Sequence, residues 1–266
     1  KEWYKNVIGK DYSRSDEKVN MLQTFDFSGL KYFNIRGEKL ESIAPLGKMR
    51  LEGLVIGSFL ESEDHILAKQ VGLRTLDLYC PELSTISFVS KMNQLKKIRV
   101  WEGSLASLHP LKKLKFLTEF ISFGGSVKSL KPLSKLFLLK KLILSDHSIS
   151  NVKPLSNLIG LEHLSLSNNT IRDISDLKKL RNIRSIGLEG NLIDDISALK
   201  KMKALSSLWI HGNRLTTLDA IEKLNYLRYI HIGNNHIYEV HALANLQELT
   251  HLYCFQNPIK TIKPLL

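Results

Sequence analysis

A 22-residue spacing of asparagine constrains what this sequence can fold into more than any other feature. One side-chain type returns at a fixed interval, at Asn169, Asn191, Asn213, Asn235 and Asn257. Aliphatic residues surround each asparagine at constant offsets, so that Leu166, for example, corresponds to Leu188 one unit later. Repetition at a fixed period of this length predicts one small structural unit that is stacked many times.

The same register continues towards the start of the chain, although asparagine is absent there. From later to earlier units, the asparagine slot holds His147, Gly125, Gly103, Pro81, Phe59 and Glu38. Ten units and a fragment follow residue 30 in this register. We expect the earlier units to be less regular. Polar residues at apolar slots of the unit from 51 to 72 predict a helix near 61–70.

Spacing within a unit indicates its local structure. Two leucines separated by one residue have the period of a β-strand, with both side chains on one face. After the asparagine slot the apolar spacing becomes three, which suits 3-10 turns rather than a full helix. No unit can bury its apolar face alone, so neighbouring units must stack, and the asparagine amide can bond backbone groups of adjoining turns.

This pattern resembles the leucine-rich repeat. The resemblance implies an α/β leucine-rich-repeat solenoid, with a curved parallel sheet on its concave face and short 3-10 turns on its convex face. The 22-residue period and turns such as Val152-Lys153-Pro154-Leu155 and Ile171-Arg172-Asp173-Ile174 are similar to the internalin-type repeats of bacteria. The resemblance covers residues 30–266 and implies a surface or secreted protein that interacts with a host.

Two segments are predicted. Residues 1–29 hold no repeat but carry many aromatic and aliphatic side chains, as expected of an N-terminal cap that covers the apolar edge of the first unit. Residues 30–266 form the leucine-rich-repeat domain. No apolar run reaches the ~18 residues of a membrane-spanning helix, so the sequence predicts no transmembrane segment.

Residues that flank the strand leucines point outward onto the concave face, so their chemistry indicates function rather than core packing. When the units are aligned, two clusters emerge on this face. The larger contains Trp209, His211, Tyr229, His231, His251, Tyr253 and Phe255, and the smaller contains Tyr79, Arg99, Trp101 and Phe123 with Ile121 and Ile143. Small residues separate them, at Ser145, Ser165, Ser167, Ser185 and Gly187.

Clustered Trp, Tyr and Arg side chains are typical of protein-binding hot spots. The sequence therefore predicts a protein partner of unknown identity, with Trp209, His231, Tyr253 and Phe255 as primary anchors. Trp101 and Phe123 would be secondary anchors. The alternative is that these are ordinary scattered surface aromatics, which many proteins carry.

Three histidines of the larger cluster raise the question of a metal site. His211, His231 and His251 each lie two residues earlier along the next strand, which predicts a diagonal with steps of about 8 Å. A tetrahedral ion needs all its donors within about 2.1 Å, so no metal site is predicted. Because histidine titrates near neutral pH, a pH-dependent contact is favoured instead.

Motifs for nucleophilic, metal-dependent or phosphate chemistry are absent from the sequence. We therefore predict no enzyme, no catalytic residue, no cofactor and no small-molecule substrate.

The net charge is 38 − 26 = +12. Most lysines between 112 and 203 occupy polar slots of the 3-10 region and face the convex side. A solvated face is one interpretation, and a basic ridge for an anionic surface or nucleic acid is the other. Aromatic side chains are not interleaved with these lysines, which makes nucleic acid the less favoured ligand.

The two cysteines give conflicting indications of compartment. Cys80 and Cys254 lie about eight units, or roughly 38 Å, apart, so they cannot pair. Cys254 replaces a strand leucine and is expected in the core. Free thiols favour a reducing compartment, whereas the internalin resemblance favours secretion or the cell surface. Protein recognition by the concave face is thus the leading hypothesis. An intracellular regulatory scaffold and electrostatic binding by the convex lysines are the alternatives.

Overall fold

The computed structural model describes residues 29–36, 40–59 and 61–263. Except for residue 29, the predicted cap lies outside the described residues, whereas nearly all of the predicted repeat domain lies within them. No helix in these three ranges is long and apolar enough to cross a lipid bilayer.

Within the described residues, eleven parallel strands form one open sheet, and each strand pairs with its neighbours in the sequence. In chain order the strands β1 to β11 are Tyr32–Ile35, Gly53–Ile56, Thr75–Tyr79, Lys97–Trp101, Glu119–Phe123, Lys141–Ser145, His163–Ser165, Ser185–Gly187, Ser207–Trp209, Tyr229–His231 and His251–Tyr253. Each repeat supplies one strand. The leucine-rich-repeat solenoid predicted from the period is therefore confirmed.

Short 3-10 helices occupy the side of the repeats opposite the sheet. They are Ala44–Lys48, Glu61–Glu63, Ser87–Lys91, His109–Lys113, Lys131–Leu133, Lys153–Leu155, Ser175–Lys179, Ser197–Lys201, Asp219–Ile221 and His241–Leu243. One α-helical turn, Asp64–Leu67, directly follows the second of them. The helix predicted near 61–70 is therefore present but shorter than expected.

The core lies between the sheet and the 3-10 helices, at the predicted aliphatic slots. In the repeat that contains β9, Leu199, Leu205, Leu208 and Ile210 are completely buried. Burial of one such side chain stabilises the fold by roughly 1.5–3 kcal/mol. Since the same slots recur in every repeat, stacking offsets the conformational entropy that each turn loses on folding.

A buried asparagine ties each later repeat to the one before it. The Nδ2 group of Asn213 donates to the carbonyl oxygens of Leu188 (3.0 Å), Ile210 (3.1 Å) and His211 (3.3 Å). Its Oδ1 atom accepts from the backbone N–H of Ile193 at 2.9 Å. The same set of contacts recurs at Asn169, Asn191, Asn235 and Asn257. We call this series of five the asparagine ladder.

The chain turns sharply just before each asparagine slot. There the backbone adopts a positive φ at Glu102, Gly124, Asp146, Asn168, Gly190, Gly212, Asn234 and Gln256. Glycine suits position 190, because its backbone has a positive φ and an added Cβ would require the Asn168 side chain to move. The sequence pattern alone did not reveal this second 22-residue feature.

The earlier repeats are not less regular in the sheet, contrary to the sequence-based expectation. Strands β3 to β6 have five residues each, whereas β7 to β11 have three. In the ladder repeats the carbonyls just beyond the strand also accept from the asparagine, as Leu166 and Ser167 do from Asn169 after β7.

In an early repeat, the side chain of Gln70 makes hydrogen bonds to backbone groups that resemble those of the asparagine ladder. Its Nε2 group donates to the carbonyls of Leu46 (2.6 Å) and Met49 (3.0 Å), and its Oε1 atom accepts from the N–H of Leu51 at 3.3 Å. The side chain is buried. A polar residue in an apolar slot is thus tolerated because its hydrogen bonds are satisfied by backbone groups.

We predict that Asn213→Ala lowers the free energy of unfolding by about 2–4 kcal/mol, because several buried backbone groups lose their partner at once. Urea unfolding followed by circular dichroism measures the change. The matched control is Asn245→Ala at an exposed position, which should cost less than about 0.5 kcal/mol. Equal losses in the two variants would contradict a stabilising role for the ladder.

His147 offers the converse test, because it occupies the asparagine slot and is buried. Neither ring nitrogen has a well-aligned hydrogen-bond partner. We predict that His147→Asn stabilises the protein by about 1–2 kcal/mol at neutral pH, since the amide can extend the ladder by one repeat. Thermal or urea unfolding measures this, with the exposed His236→Asn as control.

The benefit of His147→Asn should grow in acid. Burial lowers the pKa of His147, and the nearby Asp146 carboxylate only partly opposes this. Below its ordinary pKa the histidine is protonated more in the unfolded than in the folded chain, so the wild type loses stability as the pH falls. Unfolding measured from about pH 7.5 to about pH 5 should show the gap widening. A constant gap would contradict this.

Candidate functional site

The concave face consists of the strand side chains that alternate with the buried leucines. Parallel pairing in constant register places equivalent side chains of neighbouring repeats side by side. Trp209 pairs with His231, and His231 with Tyr253. Neighbouring strands are about 4.8 Å apart, so rings in one column are close enough to touch.

All seven residues of the predicted larger cluster lie together on this face, and we call them the C-terminal aromatic cluster. Tyr229 is at its centre, with ring centroids 5.0 Å from Trp209, 5.5 Å from Tyr253 and 5.7 Å from His251. His231 extends the contacts to Tyr253 at 5.3 Å and to Phe255 at 5.4 Å. The rings thus form one continuous surface across three strands.

The cluster is half-buried on β9 and β10 and more exposed to solvent at and beyond β11. Trp209, Tyr229 and His231 are half-buried, whereas Tyr253 is 42% and Phe255 is 56% exposed. Mutual contact between the rings restricts their rotation. A ligand would therefore meet a preformed apolar surface with polar ring edges.

The spacing expected for the histidines is wrong for one pair. The rings of His211 and His231 are stacked with centroids 3.9 Å apart, less than half the expected step of about 8 Å. That expectation considered backbone spacing only, whereas the side chains lean towards one another. Gly233 lies beside this pair, and a Cβ there would be 3.1 Å from the ring of Phe255 and 3.3 Å from the Nε2 atom of His231.

The surroundings of His231 lower the pKa of this histidine. Burial lowers the pKa of His231, the neighbouring His211 lowers it further, and the carboxylate of Glu189 partly opposes both. Within the described part of the chain, the buried Nε2 of His231, Nδ1 of His211 and one carboxylate oxygen of Glu189 lack a hydrogen-bond partner. Glu189 was not among the predicted site residues. The repeat alignment nevertheless places it on the concave face, because it lies two residues after Gly187.

Metal binding finds no support in this geometry. Among the described residues, no group of three or more His, Cys, Asp or Glu side chains is arranged to hold a metal ion. The stacked rings of His211 and His231 face each other rather than a common point.

Three aromatic rings of the predicted smaller cluster form a separate column, the N-terminal aromatic stack. Trp101 lies between Tyr79 at 5.8 Å and Phe123 at 5.4 Å, with interplanar angles of 13° and 19°. The guanidinium of Arg36 lies 4.0 Å from the centroid of the Tyr79 ring. Sequence analysis missed this cation–π contact, because Arg36 and Tyr79 are separated by the repeat that contains Gly57.

The guanidinium of Arg99 is not free to bind a partner protein, although the sequence placed Arg99 in the smaller cluster. Its guanidinium bonds Asp77 at 3.0 Å and Glu119 at 2.6 Å, on the strands to either side. Both partners raise the pKa of Arg99 above its ordinary value, and the hydrogen bond to Glu119 is the largest cause. Ile121 is also not available, because it is only 3% exposed between Arg99 and Ile143 on the neighbouring strands.

Serines separate the two aromatic groups, as predicted, and bond to one another. Ser165 Oγ lies 3.2 Å from Ser145 Oγ and 2.9 Å from Ser167 Oγ. Ser145 and Ser167 are buried. The concave face is therefore shallow and polar here, with bulky rings at both ends.

The cysteines are free thiols within the described residues. Cys80 is buried, and burial raises its pKa to about 11. Cys254 is only partly buried, contrary to the expectation of a core thiol. The reason is its place directly after β11, which pairs within the described residues with β10 alone. Convex lysines such as Lys178, Lys179, Lys200 and Lys201 are exposed at the ends of 3-10 helices.

We predict opposite effects of two substitutions on the pKa of His231. His211→Ala should raise it, because a neighbouring positive charge and part of the burial are lost. Glu189→Gln should lower it, because the carboxylate no longer stabilises the imidazolium. NMR titration of the ring protons measures both shifts, and the exposed His163→Ala serves as control. Shifts of the same sign would refute this description of the pair.

Comparison with solved structures extends the resemblance. An internalin, InlF, from Listeria monocytogenes matches with a TM-score of 0.80 and 26% identity, over 90% of this chain and 78% of that one. Internalin C2 from the same organism matches with a TM-score of 0.67 and 28% identity, over 71% and 82%. The ectodomain of the plant receptor kinase GASSHO1 from Arabidopsis thaliana is 16% identical, over 86% and 36%, with a TM-score of 0.62, and shows the fold alone.

No protein-family model matches the sequence, and no curated protein matches it. The internalin structures nevertheless share the parallel sheet, the short turns and most of the length of this chain. Folds of this kind commonly serve in protein–protein recognition. The chain is a leucine-rich-repeat protein built from 22-residue repeats of the bacterial internalin type.

Proposed function

We propose that this protein recognises another protein, without catalysis, through the concave face of its leucine-rich-repeat arc. The C-terminal aromatic cluster is the main contact surface, with Trp209, His231, Tyr253 and Phe255 as anchors. The N-terminal aromatic stack is a second contact surface.

One observation carries this proposal: a continuous group of aromatic rings lies exposed where the fold requires none. Equivalent positions in other repeats are filled by Ser165 and Gly187, so a repeat of this type folds without aromatics there. Large rings exposed to water without a structural role mark interaction sites. Their rotation is already restricted, so binding orders few additional side chains.

The distance between the two surfaces indicates the size of the partner. Phe123 on β5 and Trp209 on β9 are four strands apart, which is about 19 Å. A partner that contacts both surfaces must therefore extend over at least five repeats, and the low serine strip between them leaves room for its backbone. A folded domain or an extended segment of protein satisfies this requirement, whereas a small metabolite does not.

Similarity to the Listeria internalins favours a bacterial surface or secreted protein that contacts a host protein. The GASSHO1 ectodomain was solved in complex with the factor CASPARIAN STRIP INTEGRITY FACTOR 2. We therefore expect that the leucine-rich-repeat arc of this chain can itself bind a ligand. An intracellular regulatory scaffold would use the same surface in another compartment.

We predict that Trp209→Ala/Tyr253→Ala weakens partner binding at least tenfold, because the double substitution removes two hot-spot rings. The wild-type chain first captures proteins from an extract. Each captured protein is then purified, and its Kd is measured against the variants.

The matched control is Tyr226→Ala, which removes an aromatic ring that is 66% exposed in the turn before β10, outside the concave face. It should leave the Kd unchanged. Trp101→Ala/Phe123→Ala tests the second surface and should have a smaller effect. A partner retained equally by the wild type and the Trp209→Ala/Tyr253→Ala variant would refute the proposal.

A further inference from the structure

A second unusual surface lies at the turn that leads into each strand, away from the concave face. In each repeat this turn is closed by one backbone hydrogen bond, such as Leu117 N–H to Leu114 O and Leu139 N–H to Leu136 O. The two residues at the tip point into solvent. In several repeats they are polar, as at Asn93-Gln94, Arg181-Asn182 and Gln247-Glu248.

Val71 and Tyr226 are large exposed apolar residues at isolated tips, whereas three consecutive repeats carry such residues at neighbouring tips. Their tips carry the large apolar side chains Phe116, Phe137, Leu138 and Ile159, which we call the edge patch. These side chains are 50%, 61%, 52% and 60% exposed, respectively. Within the described residues none of them belongs to the core or to the packed shell around it.

The tips of the edge patch form one row. The residues that follow them are linked from repeat to repeat, since Lys140 N–H donates to Thr118 O and Glu162 N–H to Lys140 O, both at 2.8 Å. Neighbouring tips are therefore about 4.8 Å apart along the edge of the sheet. All four side chains can meet one surface together.

A strongly basic stretch of chain contains three of the four edge-patch residues, all except Ile159. Residues 104–145 contain a single acidic residue, Glu119, which is occupied by Arg99 on the concave face. The same stretch contains eight lysines, at Lys112, Lys113, Lys115, Lys128, Lys131, Lys135, Lys140 and Lys141. The Nζ group of Lys115 lies 3.5 Å from the carbonyl of Lys135, just before the Phe137 tip. Positive charge thus surrounds the Phe116, Phe137 and Leu138 tips, whereas the Ile159 tip is followed by Glu162, which pairs with Lys140 and Arg184.

We propose that the edge patch docks on an anionic phospholipid bilayer. The apolar tips would enter the boundary between headgroups and acyl chains, while the lysines attract the acidic headgroups. A protein partner fits this surface less well. Lysine is depleted at protein interfaces, and hot spots favour Trp, Tyr and Arg in recessed sites rather than a projecting row of Phe, Leu and Ile.

This docking mode leaves the concave face free. The tips precede the strands, whereas the C-terminal aromatic cluster projects from the strands β9 to β11 and their exits, two or more repeats further along. A bilayer at the edge and a protein on the concave face can therefore be bound together. The proposal does not depend on the proposed protein partner.

The test is co-sedimentation of the chain with lipid vesicles. Vesicles of phosphatidylcholine alone are compared with vesicles that contain about 30% phosphatidylserine, at low and at high salt. We expect binding to the anionic vesicles only, and weaker binding at high salt. Phe137→Ser/Leu138→Ser should reduce the partition coefficient at least tenfold, and Lys113→Glu/Lys135→Glu should reduce it while weakening its salt dependence.

Tyr226→Ser is the matched control, because it removes an exposed apolar ring from the same turn three repeats beyond the edge patch. It should leave vesicle binding unchanged, and circular dichroism confirms that each variant is folded. No binding to anionic vesicles, or equal binding by the Phe137→Ser/Leu138→Ser variant, overturns the proposal. A dimer of the wild type that dissociates in this variant would identify a second copy of the chain as the occupant instead.

Discussion

The hydrogen bonds of the buried asparagine amides hold the later repeats in register. A turn that reverses the chain inside a core leaves backbone carbonyls and N–H groups without partners, and each unpaired group is costly to bury. Asn213 satisfies such groups in its own turn and in the preceding repeat with a single side chain. In these repeats the amide bonds support the 22-residue register, which strands β2 to β6 share without them, and this register aligns the side chains of the concave face.

Constant register is the reason that so much of the structure could be predicted. The spacing of Leu164, Leu166 and Asn169 determines which side chains enter the core and which face outward, and every repeat applies the same rule. The grouping of Trp209, Tyr229 and Tyr253 on one face followed directly. Whether these residues bind a partner is a separate question, since the pattern concerns position rather than affinity.

The features that the sequence did not predict depend on the directions in which side chains extend from the backbone. His211 and His231 lean together and stack, and Arg99 bonds across to Asp77 and Glu119. No one-dimensional pattern contains these directions. The edge patch was not predicted for another reason: its members lie in polar slots of the repeat, which the repeat pattern leaves free to hold either lysine or an exposed apolar side chain.

The asparagine ladder begins at Asn169, and the repeats before it are joined in other ways. In a repeat protein each unit contacts only its neighbours, so cooperativity depends on the strength of each junction. We therefore expect the C-terminal half of the described repeats to nucleate folding, with structure then propagating towards the first strands. Asn169 also bonds Leu144 and Ile149, so the last junction without a ladder asparagine lies before the His147 repeat. Under mechanical load we expect the repeats on its N-terminal side to separate first, while the C-terminal aromatic cluster stays intact.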